Sequence, residues 1–317
     1  MNKVLAILTA LLLIAVAPAA ATTAARVDIV IPDDNTVIAD YAVTMRQALL
    51  ESPAVGAVSV YTPAQARAAG NNRAALAIVV GDTLLPWGLA RDNPYPARLL
   101  FHVIAEEFQH SGAAGPQVSA IFGEQPLQRQ LRLAKLLLPH LQRVAVIHRA
   151  GAAPDLAALG RATGLTVNGT VVDPQHNWAK TLSRLLGDND ILLGLEDPAL
   201  YNRETIRSIL LTTYRHGKVL IGPNQPFVTA GSLASCYTDS DQYLRQLRAA
   251  VEFYLAHGAL PPAAYPQHYH IAVNRQVAAS LGLQLPDQAT LIKRMQASGP
   301  TQGDGPLHGE GECGDGC

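Results

Sequence analysis

Short apolar runs, rich in β-branched residues and separated by amphipathic stretches, recur along this chain at 27–31, 58–61, 76–80, 99–104, 118–121, 144–147, 165–172, 190–195 and 219–221. A strand covered on both faces is apolar along its length, and joining it to a parallel neighbour takes a crossover long enough for a helix. The pattern therefore predicts parallel sheets covered by helices. Two helices are well signalled. Leu127, Leu131, Leu133, Leu136, Leu137 and Leu138 interleave with Gln128, Arg129, Arg132 and Lys135 until Pro139 stops the run, and the stretch 205–214 carries Ile206, Ile209 and Leu210 on one face.

The N-terminus has a different composition. Lys3 precedes an unbroken apolar run from Val4 to Val16, and Ala19, Ala20 and Ala21 follow where a signal peptidase would cut. The run is shorter than the roughly 20 residues of a membrane span. Residues 1–21 are thus expected to be a cleaved signal peptide, and the mature protein periplasmic. With 24 basic and 25 acidic residues in the whole chain, nothing suggests nucleic-acid binding, and 49% hydrophobic content is ample for two packed cores.

From Glu204 to Pro286 the order is a helix (204–216), a short strand (218–221), the loop Gly222-Pro-Asn-Gln-Pro, a second helix, a strand at 270–273 and a short helix from Asn274. This resembles the C-terminal half of periplasmic substrate-binding proteins of the ABC-transporter family, whose relatives include binders of aromatic amino acids. The turn after 190–195, Glu196-Asp197-Pro198 through Asn202, is similar to that family's turn, with Glu196 where proline is frequent. The resemblance implies a type I two-lobe α/β fold in which each lobe is a parallel sheet flanked by helices. Lobe I would comprise 26–120 and 225–268 and lobe II 121–224 and 269–290, with three hinge crossings near 120, 225 and 268.

In open parallel sheets the loops at the carboxyl ends of the strands form a crevice, and these loops supply the candidate ligand residues. Asp82 and Thr83 follow the strand at 76–80, where they either cap the next helix or face ligand. Gln125 and Arg129 open the leucine-rich helix one turn apart, although surface pairing is an equal account of Arg129. Asp197 can meet a ligand ammonium, and Asn202 caps the next helix. Asn224 and Gln225 offer amides in the following loop. Phe227 stands near the expected hinge or in the core, and Tyr201 and Tyr237 are weaker stacking candidates. An amino-acid-like zwitterion would place its ammonium on Asp197 or Asp82 and its carboxylate on Arg129 and backbone N–H groups.

Catalytic motifs are missing from the sequence. The ten histidines fall in no H-E-x-x-H spacing, and there is neither a G-x-S-x-G elbow nor a phosphate-binding loop. The expectation is a non-enzymatic protein without a cofactor. Cys236 reads as a buried small hydrophobe in a helical region. Residues 299–317, rich in glycine and acid, are expected to be disordered, with Cys313 and Cys317 able to close a small disulfide or hold a soft metal. The leading functional expectation is the solute-binding component of an ABC importer, delivering a small-molecule ligand to a membrane permease. The alternative is a periplasmic accessory that reports its ligand to a membrane sensor kinase or cyclase. A transcriptional regulator sharing the fold would need a DNA-binding N-terminus, where this chain carries its apolar leader.

Overall fold

The computed structural model describes residues 24–33, 35–69, 74–173 and 178–297. The expected leader and glycine-rich tail lie outside them. The first sheet contains β1 (Ala25–Val30), β2 (Val55–Tyr61), β3 (Leu76–Val80), β4 (Arg98–Val103) and β5 (Val118–Phe122), all parallel, in the order β2-β1-β3-β4-β5. Its helices are α1 (Thr36–Leu50), α2 (Pro63–Ala68), α3 (Leu85–Leu89) and α4 (Ala105–His110). Asn35 caps α1 by accepting the Ile38 amide, and Thr62 and Gln65 form a capping box on α2.

The second sheet contains β6 (Arg143–His148), β7 (Thr166–Val171), β8 (Ile191–Leu193), β9 (Val219–Ile221), β10 (Ala234–Tyr237) and β11 (His270–Val273), in the order β11-β10-β9-β8-β6-β7. Only β11 pairs antiparallel, with β10. The remaining helices are α5 (Leu127–Leu137), α6 (Leu156–Thr163), α7 (Trp178–Gly187), α8 (Ile206–Arg215), α9 (Gln225–Ala230), α10 (Ser240–His257), α11 (Arg275–Ser280) and α12 (Gln288–Ala297).

Each sheet has its own core. On one face of the first sheet, Met45 and Leu49 of α1 meet Leu247 and Val251 of α10 over Val27, Ile29, Ile78 and Leu99. Both α10 side chains are fully buried, and each contributes on the order of 1.5–3 kcal/mol to docking that helix. The second core gathers Leu131 and Leu137 of α5, Leu182 and Leu186 of α7, Ile209 of α8, and Leu291 and Met295 of α12 around β6, β8 and β9.

The second crossing between lobes falls later than the sequence suggested. Residues 225–237 form α9 and β10 and remain with the second sheet, and the chain returns to the first sheet only with α10. Cys236 accordingly lies in strand β10 rather than in a helix, and it is fully buried as a small hydrophobe. The crossings run through 123–126, 238–239 and 258–269. Polar side chains tie them together: Gln125 Nε2 donates to Thr238 Oγ1 at 2.8 Å, and that hydroxyl donates to the His268 carbonyl at 2.7 Å. Backbone bonds join Phe122 N–H to Ala264 O and Ala264 N–H to Ala120 O.

Candidate functional site

The carboxyl ends of strands from both sheets converge on one cleft of about 180 Å³. Ile104, Glu106, Glu107 and His110 reach it from the segment after β4, and Glu124, Gln125, Leu127 and Gln130 from the first crossing and the start of α5. Arg149, Gly151, Ala152 and Pro154 follow β6, Gly194 to Pro198 follow β8, and Pro223 follows β9. This is the crevice expected of open parallel sheets, here closed from two sides.

Gly194 permits a close approach in its floor. A Cβ there would stand 2.8 Å from Pro223 Cδ and 3.2 Å from the Ile221 carbonyl oxygen, so a larger residue would push the β8 and β9 loops apart. Beneath them, the buried Gln130 side chain accepts the Cys236 amide at 2.8 Å and donates to the Cys236 carbonyl at 2.9 Å and Ser235 Oγ at 3.2 Å. It thereby anchors α5 to β10 at the cleft.

Five carboxylates line the cleft, from Glu106, Glu107, Glu124, Glu196 and Asp197. Asp197 is buried and accepts a 2.7 Å hydrogen bond from Arg149 Nε; its other oxygen accepts the Ala199 amide at 3.0 Å. The bond to Asp197 raises the Arg149 pKa above its ordinary value, and Glu107 across the cleft adds to the effect. Glu124 accepts the Ala105 amide at 3.1 Å, yet burial raises its carboxyl to about 8, with Asp82, Glu196 and Glu106 adding to the rise. Desolvation likewise raises Glu196, against the opposing hydrogen bond from Asn224 Nδ2, which donates to its two oxygens at 2.9 and 3.3 Å.

An aromatic cluster stands close to these two glutamates. The ring centroids of His102 and Tyr243 are 4.2 Å apart, and those of His102 and Tyr41 are 5.9 Å apart. Burial raises the Tyr243 hydroxyl, and the charges of Glu196 and Glu124 push it further in the same direction. His102 has φ 59°, in the left-handed region, at the irregularity where β4 shifts register against β5. Its Nε2 is buried without a hydrogen-bond partner, and burial lowers its pKa to about 4.

Of the nine ligand residues expected from sequence, Gln125 and Asp197 line the cleft and Asn224 orients Glu196 beside it. Asp82 lies just behind: its carboxylate accepts the Ile104 amide at 2.6 Å and so fixes the start of α4, which carries Glu106 and Glu107. Thr83 and Gln225 are exposed away from the cleft. Arg129 is buried at the hinge, where its guanidinium donates to Gln125 Oε1 and to the Pro266 carbonyl and stacks 4.3 Å over Tyr269. Tyr201 and Phe227 are buried in the second core, edge to face with centroids 6.1 Å apart. Asn202 accepts the Glu204 and Thr205 amides as a cap, but the helix beyond begins at Ile206. Sequence reasoning missed Glu106, Glu107, Glu124, Arg149 and Glu196. Each follows the carboxyl end of a strand, and that placement was the available signal.

Architecture and cleft together define the two-lobe fold of type I periplasmic binding proteins. Three solved structures share that fold. A ligand-free, open substrate-binding protein with adhesive properties from Clostridium difficile superposes with a TM-score of 0.66 at 14% identity, over 83% of this chain and 96% of that one. The ABC domain from Streptococcus pneumonia in complex with L-Trp gives 0.56 at 14% identity, over 85% and 98%. An arabinose-binding protein from Geobacillus stearothermophilus gives 0.53 at 12% identity, over 80% and 98%. No family model matches the sequence, and no curated protein does. At these identities the likeness is one of fold.

Proposed function

We propose that this chain is the solute-binding component of an ABC importer, capturing a small ligand in the cleft and presenting the closed form to a membrane permease. The observation that carries the reading is a single cleft built from strand ends of both lobes, above three crossings that are hydrogen-bonded to one another. Closure about such a hinge removes water from a bound ligand, which strengthens each polar contact, and it creates a surface that a partner can read. Export to the periplasm, through the leader expected at residues 1–21, belongs to the same reading. Among the described residues no helix is long and apolar enough to cross a membrane.

The contacts available suit a ligand with a charged nitrogen, such as the amino group of an amino-acid-like molecule. Glu124, Glu196, Glu106 and Glu107 are placed to receive it, and Gln125 adds an amide. A sensor accessory would use the same cleft and differ only in the partner that reads closure, so genes for a permease and ATPase beside this one, rather than a sensor kinase, would separate the two. The test of binding itself is a thermal-shift screen against amines, amino acids, carboxylates, nucleosides and sugars. A ligand at 100 times its dissociation constant adds about 2.7 kcal/mol of stability. A saturable shift within one chemical class is expected; none in any class would contradict the reading.

A further inference from the structure

The balance of charge in the cleft narrows the ligand further, given the solute-binding role just proposed. We infer that the cleft takes an organic ammonium cation without a free carboxylate, its charged nitrogen bridging Glu124 on the first crossing and Glu196 on the second lobe.

Three observations lead there. First, among the described residues Arg149 is the only lysine or arginine side chain on the cleft wall. Asp197 holds it at 2.7 Å and Glu107 of the opposite lobe acts on it as well, so a ligand carboxylate would have to displace an existing ion pair. Arg129, the other guanidinium nearby, is turned into the hinge, where Gln125 and the Pro266 carbonyl hold it. A carboxylate entering here would meet four further carboxyl groups and gain no cation of its own.

Second, the two glutamates come from different parts of the hinged body yet line the same cleft, where the charge of Glu196 also raises Glu124. In the empty cleft they resist being ionised together. A cation between them removes that cost and draws the two sides together, which couples recognition to closure. Asn224 holds the Glu196 carboxylate through both oxygens, so that side of the bridge is already oriented.

Third, the neighbouring groups suit an organic cation. Tyr243, His102 and Tyr41 form an aromatic cluster behind the carboxylates, and His102 is kept neutral above pH 4, so it adds no repelling charge. Leu127, Pro154 and Pro223 give the cleft apolar wall for a hydrocarbon skeleton. Among the described residues no group of three or more His, Cys, Asp or Glu side chains could hold a metal ion.

Matched pairs test the inference: 1,5-diaminopentane against lysine, and agmatine against arginine, each pair differing by a carboxylate. Titration calorimetry on the purified protein should show the decarboxylated member binding at least tenfold more tightly. Glu196→Gln and Glu124→Gln should each weaken diaminopentane tenfold or more, with the ligand-free melting temperature unchanged or raised. Glu196 lines the cleft rather than either packed core, and glutamine keeps its size, so its variant carries little risk to folding. Equal or tighter binding of lysine and arginine, undiminished binding in both Gln variants, or saturable binding of calcium alone would overturn the inference. If none of the amines binds while a sugar, nucleoside or carboxylate gives a saturable shift, this inference fails and the solute-binding reading stands. If no compound of any class binds, both fail.

Discussion

The fold raises the Glu124 carboxyl far above its ordinary value, and its proton should be visible in stability. Between its ordinary 4.5 and about 8, the folded chain holds a proton that the unfolded chain has released, so stability falls as pH rises through that window. His102 works in the opposite sense. Between about 4 and 6.5 the unfolded chain holds a proton that the folded chain lacks, so stability falls on acidification. The two effects oppose each other at 4.5–6.5, so Glu124 is read at 6.5–8, where Glu196 and Asp82, raised by burial as well, act in the same direction. The groups acting on its carboxyl are Asp82, Glu106, Glu196 and the Ala105 amide. Melting temperatures of the ligand-free protein are expected to decline from pH 6.5 to 8 and to decline less in Glu124→Gln. A decline of equal size in the variant would remove Glu124 as its source.

Asp197 gives a second expectation at this scale. Its partner Arg149 is half in solvent, and removing the acid would free a guanidinium inside the cleft. Asp197→Asn should therefore narrow the preference for diaminopentane over lysine, read by calorimetry as a smaller ratio of dissociation constants. An unchanged ratio would mean that the pair does not set selectivity. The loss of the charged bond should cost about 1 kcal/mol of stability.

Among the elements, α5 and α10 carry the most consequence, because one starts at the first crossing and the other follows the second. Gln130→Leu would remove the side-chain acceptor of the buried Cys236 amide and one of the two side-chain donors to its carbonyl, at a cost of about 2 kcal/mol by urea denaturation. Leu247→Ala would open a cavity between α10 and the first sheet and cost about 3 kcal/mol. Values near zero for either would show that the helix docks differently.

The strands of both sheets were legible in the sequence because most are buried on both faces and therefore apolar throughout: all five residues of β3 and of β5 are buried. β10 was not, because Ala-Ser-Cys-Tyr looks like neither a strand nor a core. The polarity of Ser235 is met by the neighbouring Cys236 carbonyl and by Gln130, more than a hundred residues away in sequence. The site was half legible for the same reason. Asp197 and Gln125 stand in recognisable turns, whereas Glu124 and Arg149 acquire their roles from what the fold places beside them. Arg129, Tyr201 and Phe227 have the right chemistry for a ligand, but the fold uses them in the hinge and the second core.

For the whole molecule, the account rests on one mechanical claim: a ligand in the cleft holds the lobes together about three stitched crossings. Small-angle X-ray scattering reads this directly. The radius of gyration should fall when saturating ligand is added, 1,5-diaminopentane on the reading above, and should not fall with lysine at the same concentration. An unchanged radius while calorimetry reports a saturated site would contradict the account, because the ligand would then be bound without closing the cleft.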